Sequence, residues 1–146
     1  MRDDDECLDC SHCLFLCTEG VYYFPPGSKE RFQISLAHAA VGVLGRFQSK
    51  VAFISFVQDV TRSCDCVAPS GFPVVPDIGI LASRDAVAVD KASLDLIAQG
   101  KRLGRFADVS SPDILGNING TDSLIQIKTA HELGLGNMAY ELCATK

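Results

Sequence analysis

Apolar residues recur every three or four positions between residues 28 and 47, which is the spacing of one face of an α-helix. This stripe consists of Phe32, Leu36, Ala39, Ala40, Val43, Leu44 and Phe47. Ser28 precedes the stripe as a candidate N-cap, and Gly45 lies near its expected end. A continuous β-branched and aromatic run then covers residues 51–57. Because strands covered on both faces lack polar alternation, this run predicts a buried strand of the parallel type.

The second half of the chain shows a similar succession of elements. Residues 77–82 predict a second short strand, and the following helix is expected to begin after Asp85 and to end at Gly100. A last helix is expected to begin after Asp122, and residues 138–142 alternate like a short strand. The pattern therefore predicts an α/β protein that has a small mixed or parallel sheet with flanking helices.

Composition and charge exclude several classes of protein. With 146 residues and 47% hydrophobic content, the chain is too apolar to be disordered. Its net charge of −5 has the wrong sign for a nucleic-acid-binding protein. No apolar run approaches the ~18 residues of a membrane span. Residues 1–6 are acidic and lack the apolar core of a signal peptide, so we expect a cytoplasmic protein without membrane or nucleic-acid partners.

The sequence contains seven cysteines, and four of them form a recognisable motif. Cys7, Cys10, Cys13 and Cys17 are spaced C-x2-C-x2-C-x3-C, as in bacterial ferredoxins. Three thiolates at this interval allow a short loop to wrap one cubane cluster, and the fourth leaves that loop. In two-cluster ferredoxins the fourth cysteine binds the other cluster, so the first three would need a remote ligand here. Zinc is the alternative metal, because Cys-x2-Cys pairs are common in zinc sites.

Cys64 and Cys66, on either side of Asp65, are the candidates for the remote ligand. They follow the predicted strand at residues 51–57, and functional groups gather beyond strand ends in open α/β sheets. Seven cysteines fill one four-thiolate site and leave three, so we expect one cluster per chain. A second cluster would need a ligand such as Asp65, water or a thiolate from another chain. For Cys143, the role of a small hydrophobic residue is favoured.

The other titratable residues form no catalytic constellation in the sequence. The histidines are scattered, at His12, His38 and His131. The acidic residues around the second predicted strand are Asp77, Asp85, Asp90 and Asp95, and helical spacing does not force these carboxylates to converge for acid–base chemistry or cation binding. The concentrated positive charge at residues 101–105 is either a solvated loop after a helix or a docking patch for an acidic redox partner.

Several stretches resemble the uncharacterised iron–sulfur-centre proteins grouped as domain of unknown function 362. These stretches are residues 65–83, 85–97, 132–136 and 140–142, although Ala86 stands where the family commonly has proline. The resemblance implies a ferredoxin-type cysteine motif ahead of this region, cluster binding and redox work. Members of the family usually carry a large N-terminal half before this point. The resemblance is therefore to the C-terminal half only, and it implies a redox protein or the missing half as partner.

The sequence thus predicts a ferredoxin-like cluster-binding segment over residues 1–27 and an α/β domain over residues 28–146. The expected cofactor is one 4Fe–4S cluster, and its candidate ligands are Cys7, Cys10, Cys13, Cys17, Cys64 and Cys66, with Asp65 possible. The expected function is electron transfer. One alternative is a zinc-binding structural or interaction domain, and the other is a redox enzyme subunit that uses the loop between residues 64 and 66.

Overall fold

The computed structural model describes residues 12–47, 50–64 and 70–144 of the chain. Its elements in chain order are α1 (His12–Leu16), α2 (Ser28–Leu44), β1 (Phe53–Val57), β2 (Gly79–Ser83), α3 (Ala86–Gln99), α4 (Ile114–Asn119) and α5 (Ile125–Glu132). Short 3-10 turns occupy Gly45–Phe47 and Gly104–Phe106. The predicted α/β class with a small sheet and flanking helices is confirmed. Residues 1–11 of the predicted ferredoxin-like segment, which include Cys7 and Cys10, lie outside the described residues.

The two strands pair antiparallel, with Phe53 opposite Ser83 and Val57 opposite Gly79. The parallel strand pairing predicted from residues 51–57 is therefore wrong for β1 and β2. The apolar run indicated a strand covered on both faces, but α3 packs against only one face of the sheet. On the opposite face, Ile54 is exposed although it is apolar.

α3 is the central element of the packing, and local signals in the sequence set both of its ends. The Asp85 carboxylate accepts the backbone N–H of Ala88 at 3.0 Å, which satisfies a donor of the first helical turn. Gly100 follows the last turn, as predicted. The helix lies against the sheet, where the Ser93 hydroxyl donates to the Ser55 hydroxyl at 3.2 Å.

Two groups of buried apolar side chains join the elements. The first links β1, the segment before β2, α3 and α4, and consists of Val57, Val74, Val75, Ile97, Phe106 and Ile114. The second links α2, α3 and α5, and consists of Ala37, Val87, Ile127 and Ala130. Because apolar burial is the main favourable term in folding, these two groups hold the helices around the sheet.

α2 forms where the periodicity predicted it, but its start and its buried face differ from the prediction. Gly27, at φ 75°, occupies the N-cap position, and the Ser28 hydroxyl instead donates to the Pro25 carbonyl at 2.6 Å. Only Ala37 of this helix is buried. Four large side chains of the predicted stripe are exposed, namely Phe32, Leu36, Val43 and Phe47, whereas Leu44 is half-buried. The helix therefore packs mainly through small residues and turns most of its stripe away from the core.

α4 is a short helix that the sequence pattern did not predict, because six residues are too few to show a stripe. The Asp113 carboxylate accepts the N–H of Gly116 and that of Ser123, each at 2.8 Å. One side chain therefore caps α4 and also fixes the connection to α5. The prediction that Asp122 caps the last helix is wrong, because α5 begins at Ile125 and Leu124 occupies its N-cap position without a side-chain cap. The Asp122 carboxylate instead accepts a hydrogen bond from the N–H of Leu124 at 2.8 Å, in the turn before the helix.

The C-terminal tail after α5 forms no strand within the described residues, contrary to the expectation for residues 138–142. It is held against α3 by side chains. The Asp85 carboxylate accepts a hydrogen bond from the N–H of Asn137 at 2.8 Å. The Asp95 carboxylate accepts one from the Tyr140 hydroxyl at 2.7 Å. Among the helices of the described residues, none has the length and apolar character needed to cross a membrane.

Candidate functional site

α1 carries the second half of the cysteine motif. Cys13 lies within this helix and Cys17 directly follows it. The Cys17 N–H donates to the Cys13 carbonyl at 3.1 Å, so one helical turn separates the two residues. Cys13 is exposed and Cys17 is half-buried, whereas Cys7 and Cys10 lie outside the described residues.

The chain turns after Cys17 so that backbone N–H groups point towards its sulfur. The N–H of Tyr22 has the largest effect and lowers the pKa of the Cys17 thiol. Desolvation raises the pKa of this thiol. Its effect is smaller than the combined effect of the N–H groups of Tyr22, Val21, Glu19 and Gly20, which lower the pKa. Gly20 allows the turn because it adopts a φ of 66°. The result favours the thiolate, which is the form of cysteine that binds metals.

Cys64 lies in an exposed position on a loop whose base is closed by hydrogen bonds next to the sheet. The Ile78 N–H donates to the Val57 carbonyl at 2.9 Å, and the Val74 N–H donates to the Val60 carbonyl at 2.7 Å. These bonds hold both ends of the loop against the first buried group. These hydrogen bonds therefore fix the two positions at which the chain leaves the core and returns to it.

The argument that placed a site beyond strand 51–57 does not apply to this sheet. It holds for open parallel sheets, in which the carboxyl ends of the strands meet at one edge. Here the strands are antiparallel, so the end of β1 lies beside the beginning of β2. Asp65 and Cys66 are outside the described residues, and their candidacy stays a prediction.

A different feature, the side chain of Asn119, connects the Cys64 loop to the rest of the fold. Its Nδ2 donates to the Arg62 carbonyl at 3.2 Å, and also to the Leu115 carbonyl at 3.0 Å. The backbone carbonyl of Asn119 accepts a hydrogen bond from Lys29 Nζ, near the start of α2. Thus one residue ties the loop before Cys64 to the helix that follows the cysteine motif.

A second hydrogen bond strengthens this connection to α2. Gln33 Nε2 donates to the Thr121 hydroxyl at 2.9 Å. In the sequence, Asn119 and Thr121 indicate only a turn around Gly120. The partners that connect them to the Cys64 loop and to α2, Arg62 for Asn119 and Gln33 for Thr121, are more than 50 residues away along the chain, so no local pattern could have identified this role.

The acidic residues do not converge on a common site. The Asp77 carboxylate accepts the N–H of Asp59 at 2.9 Å, while Asp85 caps α3. Asp95 pairs with Lys91 on the same helix, and Asp90 is exposed. Over residues 12–47, 50–64 and 70–144, no group of three histidine, cysteine or acidic side chains is arranged to hold a metal ion.

The remaining sequence candidates have structural roles or are exposed. His131 Nδ1 lies 2.8 Å from the Gly136 carbonyl, and His38 is exposed. In the basic run, Arg102 donates to carbonyls at the end of α3, including that of Ile97 at 2.8 Å. Cys143 is exposed, so it does not pack against the core as a small hydrophobic residue would.

Comparison with known proteins gives one family match. The family model described as a domain of unknown function, DUF362, matches residues 14–95, which is more than half of the chain. The matched region includes Cys17, α2, the sheet, the Cys64 loop and most of α3. No curated protein and no solved structure matches the chain.

Proposed function

The chain belongs to the DUF362 family, and on this premise we propose that it binds one 4Fe–4S cluster and transfers electrons. The observation that carries the proposal is the C-x2-C-x2-C-x3-C run, whose last cysteine has its sulfur surrounded by backbone N–H groups of residues 19–22. Ferredoxin loops use this spacing, and hydrogen bonds to sulfur are one means by which proteins set the potential of a cluster.

The proposed ligands come from two parts of the chain. Cys7, Cys10 and Cys13 supply three thiolates, and either Cys64 or Cys66 supplies the fourth if Cys17 is directed away, as it is in two-cluster ferredoxins. The link through Asn119 supports this choice because it fastens the Cys64 loop to the helix that follows the cysteine motif.

The described residues fit such a cofactor in their chemistry. Cys13 and Cys64 are exposed, so a cluster bound to them would lie at the surface. The N–H groups around Cys17 would stabilise negative charge on sulfur. A bound cluster would supply one-electron chemistry. An exposed cluster would favour exchange with a redox partner, either a separate protein or a polypeptide equivalent to the N-terminal half of other family members.

The test is the metal content of the protein after strictly anaerobic purification. We expect about four irons and four acid-labile sulfides per chain, with broad visible absorbance. Zinc at one per chain without visible absorbance would contradict the proposal and favour the zinc-binding domain instead. Oxygen must be excluded throughout, because exposed clusters decay and the vacated thiolates can then bind zinc.

The remote ligand is tested by changing single cysteines to serine. Cys64→Ser and Cys66→Ser are compared with Cys143→Ser, whose exposed thiol lies outside the proposed site. One of the first two changes should lower the iron content to less than half, while Cys143→Ser should retain the iron of the unmodified chain. If neither Cys64→Ser nor Cys66→Ser alters the cluster content, the loop has no part in the site. The redox enzyme that uses this loop would then be excluded as well.

A further inference from the structure

A cavity of about 220 Å³, which we call the Arg84 cavity, lies where the beginnings of β1 and α3 approach the end of α2 and the segment after α5. Among the described residues that line it, Arg84 is the one that carries a charge. Ligand pockets typically combine a mainly apolar wall with a few polar groups that orient the ligand. The apolar wall of this cavity consists of five half-buried side chains, those of Leu44, Val51, Phe53, Ala86 and Leu135.

The Arg84 cavity continues into a narrower space between α2, α3 and α5, which we call the aliphatic groove. The two spaces share Leu44, Ala86 and Leu135, so they are continuous. The aliphatic groove has a volume of about 70 Å³, and the apolar side chains of the described residues along it are all aliphatic. Because the groove is narrow, it accommodates an unbranched alkyl chain more readily than an aromatic ring.

The two ends of this continuous space carry opposite charges. Arg84 lines the cavity at one end, and Asp90 lines the groove at the other, where it is exposed at the rim. An anionic group is attracted to the guanidinium and repelled by the carboxylate. Charge therefore fixes the direction in which an anionic ligand with an apolar body would lie.

We propose that this space binds an aliphatic carboxylate of medium chain length, with the carboxylate on Arg84 and the alkyl chain in the aliphatic groove. A guanidinium has five N–H donors and can form two parallel hydrogen bonds with one carboxylate. Between Arg84 and Asp90 the chain has two extended steps and four helical ones, so it extends over about 12 Å. A carboxylate with a chain of about eight carbons fills this length, and a longer chain reaches the polar rim at Asp90.

The proposed site and the Cys64 loop adjoin opposite ends of β1. Arg84 directly follows Ser83, which pairs with Phe53 at the beginning of the strand, whereas the Cys64 loop follows its last residue, Val57. A five-residue strand extends over about 17 Å. Binding of the carboxylate therefore does not depend on a cluster, and its test is independent of the proposed function.

The experiment titrates the full isotope-labelled chain with sodium octanoate and follows the backbone amide signals by NMR. We expect saturable binding with a Kd below about 1 mM, and shifts concentrated at residues 44–45, 84–87 and 134–135. From hexanoate to octanoate, each added CH₂ should increase the affinity about threefold to fourfold. This increase should stop beyond decanoate, because a longer chain passes the aliphatic groove. Octan-1-ol, which has the same chain without the charge, should bind more weakly.

Two variants separate the role of the charge from that of the apolar wall. Arg84→Gln removes the charge, so it should weaken octanoate binding about tenfold or more and leave the binding of octan-1-ol unchanged. Ala86→Leu fills the junction of the cavity and the groove, so it should weaken the binding of both ligands. Arg105→Gln is the matched control, because this exposed arginine lines neither space, and it should bind octanoate like the unmodified chain.

The amide spectrum of each variant also shows whether it is folded. Four results would each overturn the proposal. They are the absence of saturable octanoate binding, shifts centred outside the named residues, an affinity that continues to rise beyond decanoate, and a folded Arg84→Gln that binds octanoate as tightly as the unmodified chain.

Discussion

The side-chain amide of Asn119 donates a 3.2 Å hydrogen bond to the backbone carbonyl of Arg62, two residues before Cys64. The Asn119 carbonyl accepts a hydrogen bond from Lys29 in the first turn of α2. Residues 18–27 join Cys17 to that same helix. This single residue therefore limits how far the Cys64 loop can move from the helix that follows the cysteine motif.

Asn119→Ala should loosen the Cys64 loop. The substitution removes the donor to Arg62, and a hydrogen bond of this kind contributes about 1 kcal/mol to stability. We expect a decrease of that size in the free energy of unfolding in urea and faster amide hydrogen exchange at residues 62–64. Asn117→Ala, on the exposed side of the same helix, is the control. Unchanged exchange at residues 62–64 would show that Asn119 does not hold the loop.

Gly116→Ala should destabilise the connection between α4 and α5. A Cβ at this position would collide with the Asp113 carboxylate and would lie 2.5 Å from the Thr121 carbonyl. Such overpacking costs about 1–3 kcal/mol. Gly42→Ala in α2 is the matched control, because a Cβ there meets nothing within 4 Å and should stabilise the helix by about 0.5–1 kcal/mol. Urea unfolding of both variants should give opposite signs. Unchanged or increased stability of Gly116→Ala would contradict the packing around α4.

Stability should decrease at acidic pH because Asp113 and Asp95 have lowered pKa values. For Asp113, burial acts to raise the pKa, but the N–H groups of Ser123 and Gly116 outweigh it. For Asp95, burial also acts to raise the pKa, but Lys91 and Tyr140 outweigh it by donating hydrogen bonds. A carboxylate with a lowered pKa in the folded state stabilises the protein above its unfolded pKa of about 4, and this stabilisation is lost as the pH falls through the folded pKa.

The measurement is the free energy of unfolding in urea between pH 7 and pH 2.5. Asp113→Asn keeps an acceptor oxygen at the helix cap but cannot titrate, so this variant should lose less stability on acidification than the unmodified chain does. Asp108→Asn, which changes an exposed carboxylate, is the control substitution. Equal profiles for Asp113→Asn and the unmodified chain would show that Asp113 does not contribute to the acid sensitivity.

The sequence was informative where structure depends on neighbours in the chain. The limits of α3 follow from Asp85 and Gly100, which act within one helical turn, and both were predicted. The direction of strand pairing depends on long-range packing, and the apolar character of both faces of β1 pointed to the wrong partner arrangement. The periodicity of α2 predicted the helix but not its buried side, because small residues such as Ala37 make the close contact.

The candidate site likewise has one feature that the sequence shows and one that it does not. The cysteine spacing is visible in the sequence because four cysteines within eleven residues form a local pattern. The support given by Asn119 to the Cys64 loop is not visible, since the hydrogen bond joins residues 57 positions apart. Long-range polar contacts of this kind carry no periodic signal.

Mössbauer spectroscopy of the anaerobically purified, iron-enriched protein tests the central claim most directly. The signal reports the nuclearity and valence of the iron, and therefore distinguishes a cubane from adventitious or single iron. We expect the spectrum of one 4Fe–4S cluster per chain, and its loss in a variant with Cys10 and Cys13 both changed to serine. A spectrum of mononuclear iron only, or zinc in place of iron, would contradict the account.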